Sequence, residues 1–165
     1  MLSCAREYAE GITSRTCGEN NWMVLLGEPG CGKTHLSMAV ANQMIRQEIP
    51  VLYFQHIEGL SEMKDMLRSE GGIKKRLDQM KKVLLLVWDD LWKRKKGQEP
   101  RPWELETVFE VLNYRYLNLL PTIISSEKTP QELLEIDKAI GSRILERGKK
   151  HMVVVEGLEN NYRLR

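Results

Sequence analysis

The sequence predicts an α/β domain with a mostly parallel sheet. Short apolar runs of strand length alternate along the chain with stretches of helical periodicity, as they do when helices connect parallel strands. These runs are almost entirely apolar, which indicates burial on both faces of the sheet. The length of 165 residues is that of one ordinary domain with a complete hydrophobic core. We therefore expect one sheet with helices on both sides.

The elements follow from apolar runs and from the polar, glycine and proline residues between them. Five strands are predicted: Trp22–Leu26, Val51–Phe54, Val83–Val87, Thr122–Ser125 and Met152–Val155. Helices are predicted over Lys33–Gln47, Gly59–Arg68, Ile73–Met80, Trp103–Leu117 and Thr129–Glu146. The polar segment Lys93–Pro100 is predicted to be a mobile loop after the third strand.

Composition excludes several classes of protein. Lys and Arg number 25 against 23 Asp and Glu, and 42% of residues are hydrophobic, which excludes a disordered charged tail. The longest apolar run, Val83–Trp88, is far shorter than the roughly 18 residues of a membrane helix. The cysteines, Cys4, Cys17 and Cys31, lack the spacing of zinc ligands, and the charged start of the chain is unlike a signal peptide. The expected location is the cytoplasm.

A phosphate-binding loop is the strongest functional signal. Residues 27–34 read GEPGCGKT, a complete G-x-x-x-x-G-K-[ST] motif between a predicted strand and a predicted helix. Its glycines let backbone N–H groups curl around phosphate oxygens, and the start of the helix adds partial positive charge. Lys33 is predicted to bridge the β- and γ-phosphates of ATP, and Thr34 to ligate Mg²⁺. The predicted nucleotide-binding residues are Gly27, Glu28, Pro29, Gly30, Cys31, Gly32, Lys33, Thr34 and His35.

An acidic pair, Asp89-Asp90, follows the third apolar run and predicts the other half of the site. A carboxylate at the carboxyl end of a parallel strand faces the edge of the sheet where the phosphate loop lies. In this Walker B pattern Asp89 holds Mg²⁺ through water, and Asp90 orients or deprotonates the attacking water. The alternative is a strand that simply ends in acidic turn residues. An additional strand between the phosphate loop and Asp89 favours a switch-type ATPase over a nucleoside kinase.

Several stretches resemble the AAA+ domain of bacterial DnaC/DnaI helicase loaders and the related IstB transposition ATPases. They are GEPGCGKTHL at residues 27–36, Asp89-Asp90-Leu91, Asn113–Tyr116, Pro121–Ser126 and Asn161–Arg163. The resemblance implies a three-layer P-loop NTPase fold with sheet order 5-1-4-3-2, so that the fourth strand ends beside the γ-phosphate. The sensor residue there is usually Asn in the family, whereas this chain has Ser126. A hydroxyl has a shorter reach than an amide, so slow hydrolysis is expected.

An arginine finger is implied by the same resemblance. The S-R-I-x-E spelling at residues 142–146 is similar to the AAA+ segment whose guanidinium reaches a γ-phosphate held by a neighbouring subunit. Arg143 is preferred, and Arg147 lies four residues further on the same helix face. The alternative is a pair of solvated cations near a helix end. A finger of this kind implies a nucleotide-dependent homo-oligomer. No role follows for Arg115 or Arg163.

Local basic clusters are candidates for contact with DNA, because clustered cations attract phosphates. The run Lys93–Lys96 directly follows the acidic pair and could couple nucleotide state to single-stranded DNA, although such runs are more often solvated loops. Trp92 and Trp103 flank this run and are possible stacking platforms for bases, whereas Trp88 is predicted to lie in the core.

The resemblance as a whole implies an ATP-binding and hydrolysing switch, with ATP/ADP and Mg²⁺, that helps to deliver a replicative helicase to single-stranded DNA. One alternative is an IstB-like ATPase that serves a transposase, and another is a nucleotide-regulated adaptor with little hydrolysis. Residues 1–165 are expected to form one AAA+ domain without the N-terminal helicase-binding domain of the loaders.

Overall fold

Five parallel strands form the central sheet of the computed structural model, which describes residues 1–14, 16, 18–66, 72–94 and 98–155. The strands are β1 (Trp22–Gly27), β2 (Val51–Gln55), β3 (Leu85–Asp89), β4 (Thr122–Ser126) and β5 (His151–Val155). Their order across the sheet is β2-β3-β4-β1-β5, and every pair is parallel. This is the order expected of a P-loop AAA+ domain, and the fold prediction is confirmed.

Seven helices cover the two faces of the sheet within the described residues. They are α1 (Leu2–Ser14), α2 (Lys33–Arg46), α3 (His56–Asp65), α4 (Gly72–Lys82), α5 (Pro102–Leu117), α6 (Pro130–Ile136) and α7 (Lys138–Gly148). Met23 and Leu25 of β1 pack with apolar residues of α1 and α2 on one face. Trp22 and Val24 point to the other face, where they join residues of α3 to α7. The alternation along β1 therefore separates two cores, as a sheet buried on both faces requires.

The sequence-based prediction missed helix α1, although the sequence contains the apolar spacing of an amphipathic helix. Ala5, Tyr8, Ala9 and Ile12 lie at helical spacing and are all buried against α2 and the sheet. The Tyr8 hydroxyl donates to the carbonyls of Asn21 (2.9 Å) and Thr122 (3.1 Å). The helix thereby fastens the start of the chain to the amino-terminal edge of the sheet.

Several element boundaries differ from prediction, and two of the differences have clear local reasons. Strand β3 begins at Leu85 and not at Val83, because Leu84 is 40% exposed and precedes the pairing with β2 and β4. The single helix predicted over Thr129–Glu146 is two helices. Asp137 between them is extended, and its carboxylate accepts the Ile140 N–H at 2.8 Å as the N-cap of α7.

Candidate nucleotide-binding site

The phosphate loop leaves β1 at Gly27 and enters α2 at Lys33. Gly27 has a φ of 143°, and a Cβ at this position would lie 2.2 Å from the carbonyl oxygen of Val155. Gly32, the N-cap of α2, has a φ of 90° in the left-handed region. Both positions therefore require glycine, which explains why the first and last glycines of the motif stand where they do.

Lys33 is buried inside the loop. It is 5% exposed, and its Nζ donates to the carbonyl oxygens of Gly27 (2.6 Å) and Glu28 (2.9 Å). The Sγ atom of Cys31, a residue that is 2% exposed, lies 3.7 Å from Lys33 Nζ. The cationic end of Lys33 is thus held among the backbone groups of the loop, next to where a bound phosphate chain would run.

Asp89, the last residue of β3, is the centre of the second half of the site. It is 2% exposed, and three hydroxyls donate to its carboxylate: Thr34 (3.1 and 3.0 Å to the two oxygens), Tyr53 (2.8 Å) and Ser125 (2.5 Å). These bonds offset the cost of burying the negative charge. The structure therefore brings together Thr34 and Asp89, the two residues predicted to ligate Mg²⁺.

Tyr53 is a site residue that the sequence did not reveal. It lies in β2, which pairs with β3 so that Tyr53 is opposite Val87 and Gln55 is opposite Asp89. From this neighbouring position the Tyr53 hydroxyl reaches the Asp89 carboxylate. Burial, the hydrogen bond to Asp89 and the negative charge of that residue raise the pKa of the Tyr53 hydroxyl well above its usual value. The phenol consequently stays a proton donor throughout the physiological range.

The loop after β3 is fixed to the end of β4. Asp90 has a φ of 54°, and its N–H donates to Ser125 Oγ at 2.9 Å, while the next N–H, of Leu91, donates to the Ser125 carbonyl at 2.8 Å. Ser125 was not predicted as a site residue. Because its hydroxyl contacts both the Asp89 carboxylate and the Asp90 N–H, it sets the position of one acidic residue relative to the other.

Asp90 and Glu127 both form ion pairs with Lys93. Asp90 Oδ2 lies 2.8 Å from Lys93 Nζ, which is also 2.9 Å from Glu127 Oε1. Partial burial alone would lower the pKa of Lys93, but the hydrogen bonds to the two carboxylates outweigh it and raise that pKa. Lys93 therefore remains charged beside Asp90.

Ser126, the predicted sensor, is fully buried. Its hydroxyl donates to the Leu91 carbonyl at 2.7 Å and accepts the Lys128 N–H at 3.2 Å. A serine has a single proton to donate, and here that proton is used to hold the loop after β3. The sensor role of Ser126 stays a prediction.

A cleft of about 380 Å³ joins these parts. It is lined by Pro29, Gly30, Gly32, Lys33, Thr34, His35, Met38, Asp90, Lys93 and Glu127. The cleft therefore combines the phosphate loop with the acidic side chain that follows Asp89. No cluster of three or more His, Cys, Asp or Glu side chains suited to a metal is found in the described ranges. Mg²⁺ bound to nucleotide needs only one or two protein oxygens, a requirement that Thr34 and Asp89 fit.

Comparison with known proteins agrees with this geometry. The family model for IstB-like ATP-binding proteins matches residues 10–165. The chain belongs to this family. Two Bacillus subtilis proteins, YqaM and the phage-like element PBSX protein XkdC, are each 40% identical to this IstB-like chain, over 98% and 99% of its length. The replicative helicase loader DnaC of Escherichia coli K12 is 26% identical over 88% of it. The chain spans 52%, 62% and 56% of these three relatives, respectively.

Solved structures share the fold of the IstB-like chain. The replication initiator DnaA bound to AMPPCP and single-stranded DNA superposes with a TM-score of 0.75 at 24% identity, covering 95% of this chain and 47% of that one. A crystal structure of DnaI gives a TM-score of 0.69 at 28% identity, covering 92% and 82%. The predicted relationship to the DnaC/DnaI and IstB AAA+ ATPases is confirmed.

Two residues of the basic run Lys93–Lys96 form ion pairs within the IstB-like chain. Lys93 pairs with Asp90 and Glu127, and Arg94 forms an ion pair with the buried Glu104. The remaining members, Lys95 and Lys96, lie outside the described residues, as does Arg163. Lys93 and Arg94 lie in a loop, as predicted, and form ion pairs there, while the predicted mobility of the segment stays a prediction.

The tryptophans near this run differ in their surroundings. Trp88 and Trp92 are fully buried, so the core prediction for Trp88 is confirmed and neither ring offers a face to a base. Trp103 is half-buried, with the Lys64 ammonium 4.6 Å from the centre of its ring. Trp103 lines a surface cavity of about 320 Å³, and Trp92, although buried, borders a smaller one of about 190 Å³.

The two candidate finger arginines lie in different environments. Arg147 is 8% exposed and donates to the carbonyls of Glu19 (2.9 Å) and Tyr116 (3.1 Å), with its guanidinium 4.2 Å from the Tyr116 ring. Arg143 is half-buried, donates to Ala139 of its own helix and stacks 5.4 Å from the Tyr116 ring. Arg147 is therefore committed to the interior, and Arg143 remains the candidate for a role between subunits.

Arg115 is a structural residue that the sequence left without a role. It is fully buried, and its guanidinium donates to five backbone carbonyls and one hydroxyl, those of Met80, Lys81, Val83, Leu84, Pro121 and Thr122. Burial lowers its pKa to about 10. The side chain joins the end of α4 to the starts of β3 and β4, far from the phosphate loop.

No helix in the described ranges is both long and apolar enough to span a membrane.

Proposed function

We propose that the chain is an ATP-driven switch that hydrolyses Mg²⁺-ATP slowly and helps to deliver a replicative helicase to single-stranded DNA. The observation that carries the ATPase part is the contact of Thr34 with both oxygens of Asp89, at 3.1 and 3.0 Å. A P-loop hydroxyl and a buried carboxylate at the end of a parallel strand are thus already positioned as a pair.

The phosphate loop would bind the nucleotide through its inward backbone N–H groups and through Lys33. On binding, the ammonium would exchange the carbonyls of Gly27 and Glu28 for oxygens of the charged phosphate groups, which bind it more strongly. Mg²⁺ held by Thr34 and Asp89 would neutralise charge on the β- and γ-phosphates. The Asp89 carboxylate could bind the ion because its partners are side-chain hydroxyls, whose protons can turn to other acceptors.

Asp90 is proposed to orient the attacking water. It lies in the same cleft as the phosphate loop, and its pairing with Lys93 fixes one of its oxygens. The other oxygen is available to accept a proton from water. The ion pair with Lys93 holds the Asp90 side chain in place at the edge of the cleft.

The helicase-loading part is supported by the relatives. DnaC of Escherichia coli K12, one of them, is a replicative helicase loader, and a structural neighbour is the initiator DnaA with AMPPCP and single-stranded DNA. Arg143 is proposed to act on the nucleotide of a neighbouring subunit in a homo-oligomer. To do so it would leave the rings of Phe109 and Tyr116, each 5.4 Å from its guanidinium.

The test combines turnover and capture. Purified chain and the variant Lys33→Ala are assayed for Mg²⁺-ATP hydrolysis with and without single-stranded DNA, and each is used with a non-hydrolysable ATP analogue to retain proteins from a bacterial lysate. We expect hydrolysis and retention of the replicative helicase by the natural chain, and loss of both in the variant. Retention of a transposase in place of the helicase would overturn the loading role and leave the ATPase role intact.

An IstB-like accessory ATPase for a transposase is the second candidate. It is favoured by the family model, which matches residues 10–165. A nucleotide-regulated adaptor is a third, favoured by the commitment of the Ser126 proton to Leu91. Tight ATP binding with no turnover, even with single-stranded DNA present, would identify the adaptor.

A further inference from the structure

A second cavity lies beside the loop that follows β3, and no residue of the phosphate loop lines it. It measures about 320 Å³ and lies where α3 and α5 begin. We call it the His56 cavity, and the lining residues that matter are His56, Lys64, Lys93, Arg94, Arg101 and Trp103. Lys93 also borders the nucleotide cleft, so the two cavities are neighbours.

His56 supplies this cavity with a hydrogen-bond donor. Trp88 Nε1 donates to His56 Nδ1 over 3.2 Å, so Nδ1 carries no proton. Burial, and then the charge of Arg94, lower the pKa of His56 to about 3, which leaves the ring neutral at pH 7 with its proton on Nε2. The residue is 1% exposed, and Nε2 has no hydrogen-bond partner in the ranges that the structure describes. A buried N–H without an acceptor is costly, and an acceptor in the cavity would satisfy it.

Arg94 supplies a second such donor. Its guanidinium forms an ion pair with Glu104, yet its Nε is buried and also lacks a partner among the described residues. Two unsatisfied N–H groups therefore belong to residues that line one cavity. Since both are donors, the missing group must be an acceptor.

The cavity also has an excess of positive charge. Glu104 is used by Arg94, and Lys93 is used by Asp90 and Glu127. Lys64 and Arg101 form no ion pair in the described part of the chain, and repulsion from Arg101, after burial, lowers the pKa of Arg94. The amino-terminal ends of α3 and α5 add partial positive charge.

We propose that the His56 cavity binds a phosphate group, free or as part of a nucleic-acid strand. His56 Nε2–H and Arg94 Nε–H would donate to its oxygens, and Lys64 and Arg101 would balance its charge. Donors from four separate side chains suit the several oxygens of a phosphate better than the two of a carboxylate. This site is additional to the proposed nucleotide site and does not require that ATP binds.

The test uses the full chain carrying Lys33→Ala, which weakens phosphate binding at the P-loop, and follows signals that belong to the His56 cavity. Inorganic phosphate is titrated into ¹⁵N-labelled protein while the indole N–H signals of Trp88 and Trp103 and the ring nitrogens of His56 are followed. We expect saturable shifts of these signals, weakened about tenfold or more by Arg101→Gln and also weakened by Lys64→Gln. The matched control is Lys75→Gln on α4, an exposed lysine outside the cavity, which should bind phosphate unchanged.

Further arms identify the source of the phosphate. A short oligodeoxythymidylate that shifts the same signals at lower concentration than inorganic phosphate assigns the site to a nucleic-acid strand, and shifts with inorganic phosphate alone assign it to the free ion. Absence of shifts with both ligands overturns the proposal. So does an equal or stronger response to succinate, or an equal weakening in Lys75→Gln. ATP binding is measured separately in the chain with Lys33 intact, so its failure would not affect this result.

Discussion

Asp89 and Arg115 are both buried charges at opposite edges of one sheet, and they are neutralised in different ways. Asp89 accepts three bonds from side-chain hydroxyls at the carboxyl edge. Arg115 donates mostly to backbone carbonyls at the amino edge. Hydroxyls rotate and can serve other partners, whereas carbonyls are fixed by the chain. One buried charge is therefore suited to exchange with a ligand, and the other holds strands and helices in place.

The largest expected effect is on folding, at the amino edge. Arg115→Met leaves several buried carbonyls without a donor, so we expect the free energy of unfolding to fall by about 4 kcal/mol. Urea denaturation followed by circular dichroism measures it. The matched control is Arg46→Met, at an exposed arginine. If both variants unfold at the same urea concentration, Arg115 is not the structural member of the pair.

At the carboxyl edge we expect a large loss of activity with little loss of stability. Asp89→Asn keeps the shape of the side chain, and the three hydroxyls can rotate to suit an amide, but the charge that we propose holds Mg²⁺ is lost. Hydrolysis should fall about 100-fold while the free energy of unfolding changes by about 1 kcal/mol or less. ATPase assays at varied Mg²⁺, combined with urea denaturation, test both parts. A variant that unfolds as readily as Arg115→Met would remove the contrast between the two sites.

The effect of a third buried group, the neutral His56, on stability is expected to be smaller and to depend on pH. Its pKa is about 3 in the folded chain, below the ordinary value of about 6.5, so only the unfolded chain takes up this proton between those values. Stability should therefore decrease as pH falls below about 6.5, by up to about 1.4 kcal/mol per pH unit from this group. We expect His56→Gln to flatten that dependence and His35→Gln, at an exposed histidine, to leave it unchanged. Equal pH profiles for all three proteins would show that His56 titrates normally.

The smallest effect is expected at a single hydroxyl. Tyr53→Phe removes one of the three donors to Asp89 and should cost about 1 kcal/mol of stability, with hydrolysis reduced by about threefold or less. Tyr114→Phe is the control, since the Tyr114 hydroxyl has no hydrogen bond within the described ranges. Loss of all turnover in Tyr53→Phe would mean that the three hydroxyls are not interchangeable partners.

The contrast between the two edges also explains what the sequence could predict. The phosphate loop and Asp89 were found because each is a local pattern, a strand followed directly by its functional residues. Tyr53 and Ser125 reach Asp89 only through strand pairings, across 36 residues in each direction. Such contacts have no spacing rule that a single sequence can display.

Other differences have local causes. Helix α1 carries a clear amphipathic pattern that could have been found from Ala5, Tyr8, Ala9 and Ile12. The break at Asp137 was hidden because Leu133, Ile136, Ile140 and Ile144 keep helical spacing across it, although aspartate is itself a favoured N-cap. The role of Arg115 depended on which carbonyls the fold leaves unpaired near it, and a sequence does not show this.

The position of β1 within the sheet has a consequence for how the protein folds. β1 carries the phosphate loop and lies between β4 and β5, so that Trp22 pairs with Thr122 and Met23 with His151. Contacts between residues so distant in sequence must overcome a large loop-closure entropy before they contribute to stability. During synthesis β1 would leave the ribosome well before β4 and β5, so it would have no neighbour in the sheet until they followed. The nucleotide-binding site, which is the clearest signal in the sequence, is therefore complete only after β4 has joined β1 in the sheet.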